Sequence, residues 1–172
     1  MPTLERLREL TGETASLHCL LGNERICVAE LVSPEPIRMQ SDVGRTYPIH
    51  AGAAGKAILA WQPDVLDRPG LRLGQITPAT ITDAAKLRRE LERIRQRGYA
   101  ESESEMVPGA ASLAVPVLGG PAGVLAAVNV AGPAMRWNRA KRGQFRDAVV
   151  AEVAALTALT TAASPTRAGA GG

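Results

Sequence analysis

The chain has almost no aromatic residues: one Phe, two Tyr and two Trp in 172 positions. Its core must therefore be built from Leu, Val, Ile and Ala. Cysteine and histidine are as scarce, with Cys19, Cys27, His18 and His50 the full complement. These four have no zinc-finger spacing. The cysteines fall in two apolar stretches that read as neighbouring strands, which points to buried, reduced thiols. A disulfide would require the strands to set them opposite each other, and an intracellular setting argues against one. Long apolar runs are missing too. Nothing approaches the ~20 residues of a membrane span, and the start, "MPTLERLREL", is charged and amphipathic rather than signal-like. A cytoplasmic protein without membrane contact is expected. Net charge is +3, with a pI of about 9.2, too mild to call for nucleic acid by itself.

What is present is ordinary for a globular domain. Hydrophobic residues make up 45% and charged residues 22% of the chain, and the length allows one domain with its own core. Leu4, Leu7 and Leu10 share a helical face ended by Gly12. "ETASLHCLLGNERICVAELV" then reads as a hairpin turning at Gly22-Asn23. Ala15, Leu17, Cys19 and Leu21 alternate on one face of the first strand, and Ile26, Val28 and Leu31 continue in the second. Pro34 and Pro36 break the second strand, and "IRMQ" (37–40) is expected to be a short third one. A helix runs from Ala51 to about Trp61. Residues 62–82 read as loop and short helical turns. A further helix spans about Asp83 to Arg97, striped by Leu87, Leu91 and Ile94, capped by Thr82 or Asp83 and stopped by Gly98. "GYAES", "ASLAVPV" and "VLAAVNVA" are strands, the last almost wholly apolar and so central, with "LGGPAG" a tight turn before it. Asn138 caps a final helix with Phe145, Val149, Val153 and Leu156 on one face, and "SPTRAGAGG" is a disordered tail. Strands joined by tight turns predict an α+β fold with an antiparallel sheet covered by helices.

The stretch "YPIHAGAAGKAILAW" invites comparison with a phosphate loop. A Walker A sequence needs a glycine where His50 stands and a Ser or Thr where Ala57 stands. Both conditions fail, and the dinucleotide pattern lacks its third glycine and its parallel unit. Two simpler readings remain. A helix starting near Ala51 has unsatisfied amides beside near-absent side chains, so a carboxylate or phosphate could approach them. Alternatively, Gly and Ala let the helix lie close on the sheet.

Three segments, "YPIHAGAAGKAILAW", "LRRELERIRQRGYAESESEMVPGAASLAVPV" and "GVLAAVNVAGPAMR", resemble in order and spacing the effector-binding domain of the IclR family of bacterial transcription regulators. "LRELTGETASLHCL" and "ERICVAELVSP" resemble its opening helix and hairpin. The resemblance spans roughly residues 4–160. It implies a GAF-like curved antiparallel β-sheet with helices packed on its faces, over residues 1–163, with 1–12 as a linker-like helix and 164–172 as the tail. It implies a non-catalytic pocket for a small organic or aromatic acid, with no cofactor and no metal. Self-association as a dimer or tetramer is expected. Operator DNA would be met only through a winged helix-turn-helix, which would precede residue 1 and which nothing in this chain can form.

Carried over residue by residue, the resemblance implies an effector site at Met39, Tyr47, Ala53, Ala54, Ser102, Ser112, Asn129 and Ala131. Ala53 and Ala54 would offer backbone amides, while Met39 and Tyr47 would form apolar walls. Ser102 stands where some members carry an acid, and Ser112 where Cys or Ser is frequent. Asn129 and Ala131 alternate along the last strand and so point to one face. There are departures: Ala131 is often Ser, Ala110 and Ala111 replace larger residues, and Pro108 is unexpected. An effector bulkier or less polar than a two- or three-carbon acid would suit them.

Other residues carry weaker signals. Arg88, Arg89, Arg93, Arg95 and Arg97 are interleaved with Glu90 and Glu92, which suggests a solvated face rather than a DNA surface. Arg136, Arg139, Lys141, Arg142 and Arg146 crowd the start of the last helix, where cations are unfavourable, and are expected to meet a partner chain or an acidic patch. Glu101, Glu103 and Glu105 would share a solvent-facing side of a strand, although the resemblance implies a loop-fixing role for Glu105. Lys56 would pair with an acid or meet the effector. Cys27 and His50 could be imagined as nucleophile and base, but nothing places a third group beside them. Alternatives to a sensor are a small hydrolase on the same scaffold and a ligand-free interaction module.

Overall fold

The computed structural model of the chain describes residues 2–119 and 123–162. The expected tail at 164–172 lies outside the described residues, as do residues 120–122 of the "LGGPAG" turn. Helix α1 (Pro2–Thr11) leads into strands β1 (Thr14–Leu21), β2 (Glu24–Leu31) and β3 (Thr46–Pro48). Helix α2 (Gly52–Leu59), a 3-10 turn (Pro63–Asp67) and helix α3 (Ala84–Arg97) follow. Strands β4 (Ala100–Glu103), β5 (Ala110–Leu118) and β6 (Val124–Pro133) come next, and helix α4 (Arg139–Ala162) ends the described chain. The six strands form one antiparallel sheet in the order β3-β2-β1-β6-β5-β4. The expected α+β architecture is thus the observed one, with β6 central.

Helices cover both faces of the sheet. Ile49, Ala53, Ala57 and Ile58 pack with Leu87, Leu91 and Ile94 of α3 on one side. Leu4 and Leu7 of α1 pack with Phe145, Val149 and Val153 of α4 on the other. Leu10 lies outside this stripe and is 64% exposed. Local chemistry sets the helix ends. The amide of Lys86 donates to Asp83 Oδ1 at 2.6 Å, and Gly98 closes α3 at φ +83° by donating to the Ile94 carbonyl. The amide of Lys141 donates to Asn138 Oδ1 at 3.0 Å. Each such cap satisfies backbone groups that a helix end leaves open.

Three expectations change here. "IRMQ" is not a strand. Residues 32–45 form a loop whose backbone bonds side chains, as when Thr14 Oγ1 donates to the Met39 carbonyl at 2.6 Å, and the third strand falls at Thr46–Pro48. The hairpin also buries its other face as deeply. Ser16, His18, Arg25 and Cys27 are buried, whereas Leu21 and Val28 are among the exposed apolar residues. With helices on both sides of the sheet, alternation alone does not tell which set points where, and a bulge between Leu17 and His18 shifts the register. Finally, the strand pattern of the three glutamates ends at Glu103. Ser104 adopts φ +59°, and this turns Glu105 inward to 7% exposure.

The two glycines of "YPIHAGAAGKAILAW" have separate causes. Gly52 takes φ +79° where the chain enters α2. Gly55 rides on the backbone, and an added Cβ would sit 2.8 Å from the Ile49 carbonyl carbon as well as overlapping its oxygen. Close packing is therefore one true reading of this stretch. Gly55→Ala is expected to lower stability by about 2–3 kcal/mol, read as a reduced midpoint in urea unfolding; an unchanged midpoint would contradict the close approach.

Candidate functional site

The N-terminus of α2 points across the sheet at a cavity of about 110 Å³. All eight residues expected at a site line it: Met39, Tyr47, Ala53, Ala54, Ser102, Ser112, Asn129 and Ala131. The sheet brings five of them together by register. Ser102 pairs with Ser112, Ser112 with Ala131, and Ala114 with Asn129, while Tyr47 arrives on β3 opposite Arg25. Arg25, Glu105, Met106 and Val107 line the same space. An apolar cavity of roughly 150 Å³ holds benzene, so the volume here suits a small acid, up to about one ring.

The start of α2 is less bare than expected. Ala51 provides no side-chain cap, but the amide of Gly52 donates to Glu105 Oε2 at 3.0 Å. The other oxygen of Glu105 takes a hydrogen bond from Lys56 Nζ, which also donates to the Glu101 carbonyl at 2.8 Å. Lys56 thus pairs with the protein's own acid. The carbonyls of Ser104 and Glu105 are held by Thr77 Oγ1 and Thr80 Oγ1, at 2.6 and 2.8 Å. The amide of Ala53 makes a long, 3.4 Å contact to Ser112 Oγ.

The strongest feature of the site was not singled out in the sequence. Arg25 is 7% exposed and its guanidinium lies 4.7 Å above the Tyr47 ring. It donates from Nη1 to His18 Nδ1 at 3.0 Å, while its buried Nε has no partner. Among the described residues, no carboxylate forms an ion pair with it. Burial pulls its pKa down to about 10, so it remains a cation at neutral pH. Because Arg is a pure donor, His18 Nδ1 must accept, and the ring proton then sits on Nε2 and is donated to Ser16 Oγ at 3.0 Å. Asn129 Nδ2 reaches the same oxygen at 3.4 Å. A polar chain therefore runs from Arg25 to Asn129 beneath the cavity. The available signal was the polar alternation Thr14-Ser16-His18, with Arg25 two residues before a buried Cys27. Tyr47 is likewise more than an apolar wall: its hydroxyl donates to the Ser41 carbonyl and its ring carries Arg25.

The nucleophile–base pairing finds no support. Burial pushes the Cys27 thiol up to about 11, opposite to the shift of an activated thiolate. Its Sγ contacts the Ala29 carbonyl at 3.5 Å, and His50 Nε2 contacts the Gly74 carbonyl at 2.9 Å. Cys19 and Cys27 are both free, and the register sets Cys27 against His18 rather than Cys19. No metal-binding cluster occurs among the described residues, and none of their helices is long and apolar enough to cross a membrane. The basic runs are partly satisfied within the chain: Arg88 by Asp67, Arg93 and Arg97 by Glu90, and Arg142 by Glu103. Arg136 grips the buried Glu13 with two hydrogen bonds, at 2.8 and 2.6 Å.

The family described as "Bacterial transcriptional regulator IclR C-terminal" matches residues 1–158. The chain belongs to the IclR family. The transcriptional regulator BhcR of Paracoccus denitrificans is 37% identical over 152 residues, covering 87% of this chain and 54% of BhcR. The chain thus spans about half the length of that relative. The inducer-binding domain of the Acinetobacter transcription factor PobR, solved as a double mutant with 3-hydroxybenzoic acid, superposes with a TM-score of 0.79 at 27% identity, covering 92% of this chain and 95% of that one. An IclR homologue from Microbacterium hydrocarbonoxydans, solved with 4-hydroxybenzoate, gives a TM-score of 0.75 at 27% identity, covering 91% and 66%. The family consists of regulators rather than enzymes, which sets aside the hydrolase alternative.

The polar chain has a pH signature. Burial, with Arg25 adding to it, lowers the His18 pKa to about 3, against about 6.5 in an unfolded chain. Between those values the unfolded chain binds a proton that the folded one refuses, so stability falls as pH drops through this window. Across the whole window the loss is on the order of 5 kcal/mol. Compared across pH 7 to 4 by urea unfolding, His18→Gln should lose stability less steeply than the parent chain. Parallel curves would contradict the buried neutral imidazole.

Proposed function

We propose that the cavity at the start of α2 binds a small organic or aromatic acid and that the chain is the effector-sensing domain of a DNA-binding regulator. The observation that carries this is the lining itself. Apolar walls surround a few converging polar groups, namely Ser102, Ser112, Asn129 and the α2 amides, which is the usual form of a small-molecule site. The hydroxybenzoates held by two structural relatives fit an acid of about one ring. The ligand would be sensed without being changed. A folded cavity beside two separately packed helical layers offers the means, since a ligand shifts a protein between states only through differential contacts with them. Self-association through this domain, and operator contact through a winged helix-turn-helix outside it, complete the reading.

A thermal-shift panel of small carboxylic and aromatic acids tests the proposal. An acid present far above its dissociation constant should stabilise the fold by about 2–4 kcal/mol. Ala53→Asp, which sets a carboxylate at the mouth of α2, should abolish that shift while the unliganded domain still unfolds cooperatively. A flat panel, or an unaltered shift in the variant, would count against this cavity.

A further inference from the structure

Resting on the acid-sensing reading above, we infer that Arg25, rather than the start of α2, is the charge partner of the effector, so that the site selects a carboxylate anion over a neutral molecule of the same shape. The helix start has an anion already. Glu105 takes the Gly52 amide, and its remaining charge is met by Lys56. A second carboxylate placed on the same amides would meet Glu105 at close range, and like charges in a buried site repel strongly.

Arg25 is in the opposite condition. It is a cation, 7% exposed, with one hydrogen bond to a neutral imidazole and an aromatic face beneath it. Neither neutralises it. An uncompensated buried charge is costly, and an entering carboxylate would relieve that cost. The guanidinium also lies within reach of the helix start: a Cβ on Gly52 would stand 3.5 Å from Arg25 Nη2. A carboxylate on Arg25 would therefore lie beside the start of α2, in a cavity that Ala53 and Ser112 also line. His18 and Tyr47 then become positioning residues. The ring nitrogen accepts from Nη1 and the phenol ring lies against the guanidinium, which reduces the freedom Arg25 has to lose on binding.

The test compares benzoate with benzamide, or the acid that gives the largest thermal shift with its own amide, by titration calorimetry on the purified chain. The parent chain should prefer the acid by about tenfold or more, as expected for hydrogen bonds to a charged group. In Arg25→Gln the preference should collapse toward one, through loss of the acid and not of the amide. Should that variant fail to fold, the parent chain labelled with ¹⁵N arginine supplies the readout. The Arg25 guanidinium resonances should move with added acid and stay still with added amide. An acid preference that survives in Arg25→Gln, or unmoved guanidinium resonances while the acid binds, would overturn the inference and leave acid sensing standing. Failure of every acid to bind the parent chain would overturn both.

Discussion

Lys56 and Glu105 form a buried ion pair at the start of α2, and the rest of the site is arranged around it. The pair draws together pieces far apart in the chain. Glu105 holds the first amide of α2, Lys56 ties the helix to the backbone of β4, and two threonines hold the peptide around Glu105. Burying two charges is costly, and such a pair is sustained by geometry and by further hydrogen bonds rather than by Coulomb attraction alone. Here the added bonds reach Gly52, which lines the cavity, the Glu101 carbonyl of β4, and the peptides at Ser104 and Glu105. Removing one partner would leave a buried charge unpaired, which in general costs about 3–5 kcal/mol.

The pair also decides the electrostatics of the cavity. A helix start favours anions, and at α2 that preference is spent on Glu105. The positive charge left over is Arg25, on the far strand of the hairpin, backed by a histidine that burial keeps neutral. A site with its structural anion already neutralised and a spare buried cation favours one further negative charge. A ligand that supplies it would bridge Arg25 on β2 and the start of α2, which both line the cavity. Such bridging is a differential contact of the kind that couples a ligand to a change of state.

Much of this was legible in the chain, and for identifiable reasons. Asp83, Gly98 and Asn138 announce helix ends because capping is local chemistry. The Gly22-Asn23 turn fixes the hairpin for the same reason. The tiny residues at 51–55 correctly suggested close packing, and the resemblance to the family brought Ser102, Ser112 and Asn129 to one place across three strands. What could not be read depends on context. With helices on both faces of the sheet, the alternation in β1 and β2 does not say which set is buried toward the cavity, so Ser16, His18 and Arg25 went unnoticed. Glu105 looked solvent-facing because the strand period was carried through Ser104, whose left-handed backbone ends it. That Glu105 would fill the helix start is a consequence of tertiary placement, and nothing in its neighbours states it.

The most direct measurement is a crystal structure of the chain with a small carboxylic acid bound in the cavity. The acid's carboxylate is expected against the Arg25 guanidinium, with Glu105 still on the Gly52 amide and Lys56 still on Glu105. A carboxylate seated on the Gly52 amide with Glu105 displaced would contradict it, because the ion pair would then be a latch for the ligand rather than the fixed frame of the site.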